Sequence, residues 1–91
     1  MIPTIEQIAA KEATIGAVKL QERGSCLLVH RCVNEPGWQI TRFGDDGAPW
    51  GHTVEHSLTA ALLSASGVFG QWPPYGHGEI IEITTMGGES F

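Results

Sequence analysis

Apolar and polar positions alternate most clearly between residues 25 and 33. Leu27, Val29, Arg31 and Val33 fall on one side of an extended chain there, and Cys26, Leu28, His30 and Cys32 on the other. Arg23-Gly24 precedes this run and Asn34-Glu35-Pro36-Gly37 follows it, so turn formers bound a predicted strand. Residues 37–43 form the next strand, and the four-residue connection predicts an antiparallel hairpin. Asp45-Asp46-Gly47 closes that strand with turn chemistry, the glycine supplying positive φ. Residues 48–52 continue as a short extended edge, since Pro49 lacks an amide donor and is tolerated mainly at sheet edges.

The period then changes. Val54, Leu58, Ala61, Leu62 and Ala65 recur at the spacing of a helix lying on a sheet, with Thr53 or Ser57 as its cap and Gly67 at its end. Residues 67–78 are rich in Gly, Pro and aromatics and read as a loop, residues 79–85 as a last strand. At the other terminus, Thr4 and Gln7 have capping-box spacing ahead of an Ala-rich run, and Ile5, Ile8 and Ala9 share one helical face. Two continuations stay open. A helix running to Glu22 would end neatly before Gly24 but would put Glu12 and Lys19 in its apolar stripe. A helix ending near Ala13 leaves residues 15–21 as a strand, with Val18 and Leu20 alternating against Lys19 and Gln21.

These elements predict an α+β domain: a small, largely antiparallel sheet of three to five strands with one or two helices on one face and the other face partly open. Ninety-one residues suit one core, since a chain of this size buries only somewhat more than ~60% of its unfolded surface. Residues 1–86 form that domain, with 87–91 as a frayed tail.

Ten Asp and Glu against five Lys and Arg give a net charge of -5, and Lys11, Lys19, Arg23, Arg31 and Arg42 are scattered. Binding to phosphates needs several cations acting together, so direct nucleic-acid recognition is not expected. An acidic surface suits a basic protein partner, although the same charge also serves plain solubility. The N-terminus lacks a basic segment followed by a long apolar run, and no stretch reaches the ~20 apolar residues that cross a bilayer, so no membrane partner and a cytoplasmic location are expected. Cys26 and Cys32, six residues apart on one strand, would lie roughly 20 Å apart and could not join each other; reduced thiols fit a reducing compartment.

His52-Thr53-Val54-Glu55-His56 matches the H-x-x-E-H pattern of the inverzincin metallopeptidases, where two His one helical turn apart hold zinc and the Glu activates water. The match covers five residues, only 35 residues follow His56, and His52 falls at or before the predicted helix start. A plainer metal site would add His30, Cys32 or His77 to His52 and His56, without a signature spacing. Nucleophile and base candidates exist as Cys26 or Cys32 with His30, and Ser57 or Ser64 with His56; small apolar packing explains the cysteines more simply. Gly67-Val68-Phe69-Gly70 lacks the Lys-Ser/Thr of a phosphate loop. No catalytic residue, metal or cofactor is assigned, with His52 and His56 as the metal candidates and His52, Glu55 and His56 as the centre of a rival enzymatic reading.

Residues 69–77 carry Phe69, Trp72, Pro73, Pro74, Tyr75 and His77, and Trp38 and Trp50 lie earlier. Trp and Tyr offer large contact area with few rotors, the material of an interface hot spot; the same rings also serve to cap a small core, as expected for Phe69. The expected function is a small acidic, non-enzymatic module that binds another protein, its partner residues being Trp50, Trp72, Tyr75, His77, Asp45 and Asp46, with homodimerisation through a sheet edge or open face as an added possibility. Free-standing acidic domains of this size occur among phage and mobile-element accessory proteins, including anti-CRISPR inhibitors that occupy basic surfaces, which would place the chain in the host cytoplasm. That likeness is one of size and charge alone. A second rival is a small-molecule site walled by Trp50, Trp72 and Tyr75.

Overall fold

The capping box predicted at Thr4 is formed: the Gln7 amide donates to Thr4 Oγ1 at 3.1 Å and the Thr4 amide to Gln7 Oε1 at 2.8 Å. It opens helix α1 (Ile5–Ala9) in a computed structural model that describes residues 3–22, 25–66 and 79–88, with the backbone alone at Glu22, Trp50 and Gly88. The helix is short, because a 3-10 turn at Glu12–Thr14 leads straight into strand β1 (Ile15–Glu22). Of the two continuations the strand is the one adopted. It buries Val18 and Leu20 while leaving Lys19 exposed, which a helix through the same residues would not achieve.

Strands β2 (Ser25–Arg31), β3 (Trp38–Phe43) and β4 (Pro49–Glu55) follow, then helix α2 (Leu58–Ala65), strand β5 (Glu79–Thr85) and a 3-10 turn at Met86–Gly88. The five strands form one antiparallel sheet in the order β4-β3-β2-β1-β5, with both helices contacting it: an α+β fold. Val18 lies opposite Val29, which lies opposite Ile40, and Leu20 lies opposite Leu27, so one continuous apolar face runs across the three inner strands. Leu58, Ala61, Leu62 and Ala65 of α2 and Ile8 of α1 complete that core, and Ile80 and Ile83 of β5 pack against it.

Three sequence expectations need correction. Strand β2 ends at Arg31: the Cys32 amide turns to the Gly37 carbonyl at 3.0 Å, leaving Val33 88% exposed in the turn. Val54 belongs to β4, not to the helical stripe, and α2 is capped by Ser57, whose Oγ accepts the Ala60 amide at 3.1 Å. The edge strand therefore runs to Glu55 instead of stopping at His52. Gly67, expected to end the helix, lies outside the described residues, as does the loop 67–78. Among the described residues, no helix is long and apolar enough to cross a membrane.

Candidate functional site

The β3–β4 hairpin projects the acidic turn. The Gly47 amide bonds the Gly44 carbonyl at 2.9 Å, the Gly44 amide bonds the Ala48 carbonyl at 3.1 Å, and Gly47 takes φ 78. Asp46 Oδ1 accepts the Ala48 amide at 3.0 Å, an Asx turn that fixes one carboxylate oxygen inward. Asp45 and Asp46 are both exposed at this tip.

The chain passes from the tip directly into β4, which pairs with β3 along one side and, among the described residues, with no strand along the other. Register shifts between Arg42 and Phe43, whose partners are Gly51 and Pro49, so Trp50 is the extra residue of a bulge. Bulges near a strand end bend the chain and re-aim side chains. The two aspartates and Trp50 thus occupy one hairpin, five residues apart at most. Trp72, Tyr75 and His77, named with them from the sequence, lie outside the described residues.

The H-x-x-E-H segment does not form the metallopeptidase arrangement. His52 to Glu55 lie on β4, where side chains alternate: His52 and Val54 take the face opposite the helices, Thr53 and Glu55 the face toward them. His56 sits just past the strand and is exposed. Two imidazoles one helical turn apart require a helix that is absent at these residues. Among the described residues, no group of three His, Cys, Asp or Glu side chains is placed to hold a metal ion.

The face opposite the helices carries a polar line across β2 and β3. Gln39 Nε2 donates to Thr41 Oγ1 at 3.0 Å, Thr41 Oγ1 lies 3.5 Å from His30 Nε2, and His30 Nδ1 lies 3.0 Å from the Arg31 carbonyl. Cys26 and Cys32 are free thiols, half-buried near opposite ends of β2.

Trp38, mentioned beside the contact aromatics but not assigned to the partner surface, belongs to the core: it is 2% exposed. Conversely, the sequence reading did not single out Ile81, which is 51% exposed on β5. Lys19 pairs with Glu82 and Leu20 with Ile80, so Ile81 is the unpaired residue of a bulge. The signal was the doublet Ile80-Ile81, since two adjacent apolar residues on a one-faced strand cannot both reach the core.

Comparison with protein-family models, with curated proteins and with solved structures yielded no match for this chain.

Proposed function

We propose that this chain is a small acidic binding module that acts by occupying a basic surface of another protein and carries no reaction centre of its own. The observation that supports this best is the hairpin: two exposed carboxylates at its tip lead into β4, an edge strand among the described residues, whose second residue is Trp50. Negative charge at a projecting tip favours encounter with a basic surface, and an aromatic beside it supplies the contact area that holds the complex. Trp72, Tyr75 and His77 join the proposed surface on sequence grounds alone. The comparison with phage-encoded inhibitors remains one of size and charge.

The test is capture of a partner from the lysate of the native host, identification by mass spectrometry, and association kinetics with that purified partner. Association is expected to slow as salt rises, and the Asp45→Lys, Asp46→Lys double variant to associate several-fold more slowly. A partner bound equally well by that variant and by Trp50→Ala would remove the hairpin from the interface. Stoichiometric zinc in chelator-free protein, lost in His52→Ala or His56→Ala, would replace this reading with the metal-dependent one.

A further inference from the structure

We propose that β5 is a releasable strap: it opens as a unit ahead of the rest of the fold and bares the edge of β1 while the core stays packed. Every fully buried core residue that the structure describes, from Ile8 to Ala65, comes earlier in the chain than β5. None of the residues of β5 is fully buried, and Ile80 and Ile83 only pack against a core that the other elements build. Losing β5 therefore removes a border of that core and leaves its centre intact.

Its pairing is also the least regular in the sheet. β1 keeps one register against β2 from Ala17 to Glu22, but its register against β5 shifts twice, past Gly16 and past Ile81. Each shift interrupts the ladder and leaves one residue unpaired. β4, the other border strand among the described residues, differs in how the chain holds it. Residues 44–48 tie it to β3, and His56 and Ser57 tie it to α2, so its departure would pull on both. β5 is reached from α2 through residues 66–78, and its partner is the first strand of the chain. Holding it there closes a loop across the whole sheet, and release regains that closure entropy. In the open form β1 presents unpaired backbone donors and acceptors from Ile15 to Glu22, the kind of edge that receives an extended segment. This border lies across the sheet from the β3–β4 hairpin, so the inference is independent of the proposed partner surface and its failure leaves that reading standing.

Amide exchange of the full chain, followed residue by residue by NMR at rising sub-denaturing urea, tests the release. The amides of β5 and those of β1 that bond to it should share one opening, with a shallower urea dependence than the amides of β2 and β3. Ser57→Ala weakens α2 and not β5, so it should speed exchange of the slowest β2 and β3 amides several-fold and leave β5 unchanged. Ile83→Ala loses its contact in every state that lacks β5, and should speed both groups about tenfold. One common urea dependence for β5, β2 and β3, a Ser57→Ala effect equal in all three, or opening of β4 before β5 would each overturn the proposal. Should Ile83→Ala fail to fold, the urea dependence of the unaltered chain decides by itself.

Discussion

Arg31 lies over Trp38, with its guanidinium carbon 4.5 Å from the ring centroid, and the two residues are direct cross-strand partners between β2 and β3. Both are also tied to the 3-10 turn before β1: Arg31 Nη2 donates to the Glu12 carbonyl at 2.6 Å and Trp38 Nε1 to Glu12 Oε2 at 3.3 Å. One glutamate thereby fastens the N-terminal segment to the end of the β2–β3 pair. The cation is held by a carbonyl and an aromatic face, and a planar guanidinium can stack on the ring while donating to the carbonyl.

Removing that ring should therefore be among the most damaging single changes. Trp38→Ala is expected to cost about 3–5 kcal/mol, the range for a large buried aromatic. Trp38→Phe keeps a ring and loses the N–H donor, and should cost about 1–2 kcal/mol. Urea unfolding followed by far-ultraviolet circular dichroism measures both. A Trp38→Ala protein with unchanged midpoint would show that the indole does not anchor this corner.

Gly37 and Gly47 both have positive φ, at 121 and 78, yet substitution should separate them. A Cβ on Gly37 would stand 2.8 Å from the Glu55 carbonyl oxygen, against backbone of the neighbouring strand, whereas a Cβ on Gly47 meets nothing within 4 Å. Gly47→Ala should cost about 1–2 kcal/mol from backbone conformation alone. Gly37→Ala adds displacement of β4 and should exceed it clearly in the same unfolding assay. Equal costs would mean that the β3–β4 spacing yields freely at this point.

The two helix caps offer a graded comparison. Thr4→Ala removes one half of a reciprocal pair, and Ser57→Ala removes the acceptor at the start of α2. Each should cost about 1 kcal/mol in thermal or chemical unfolding. Because α2 supplies four core residues and α1 one, the Ser57 change should reduce stability more. The reverse order would place the weight of the fold on the N-terminal helix.

Zinc added to the purified chain provides a separate check on the histidines. With His52 on β4 and Glu55 directed to the opposite face, the segment should bind no zinc at stoichiometric level by elemental analysis after desalting. A tightly held equivalent of zinc would contradict the binding account directly.

What the sequence discloses here is what depends on neighbours in the chain. Thr4 and Gln7 need each other at three residues, Asp45-Asp46-Gly47 needs only itself, and β2 announces its faces by alternation from Cys26 to Arg31. Val54 misleads because it stands four residues before Leu58 and so satisfies a helical stripe while also belonging to Thr53-Val54, a β-branched pair that favours strand. The surroundings of Trp38 are not local in sequence, since the Glu12 carboxylate that accepts from its indole stands 26 residues away. The neighbour of β1 is likewise decided by pairing of residues 15–21 with 79–85, for which no local pattern exists. The acidic hairpin tip was legible from turn chemistry and the edge character of the strand after it from Pro49, whereas that strand's extension to Glu55 followed only from its pairing with β3.

Amide hydrogen exchange on the full chain, alone and saturated with the protein it captures in its host's lysate, tests the central claim most directly. Slowed exchange across residues 44–55, the turn bearing Asp45 and Asp46 and the strand that follows it, is the expected result, and it should fade as salt is raised. Unchanged exchange throughout that segment in a saturated complex would contradict the account.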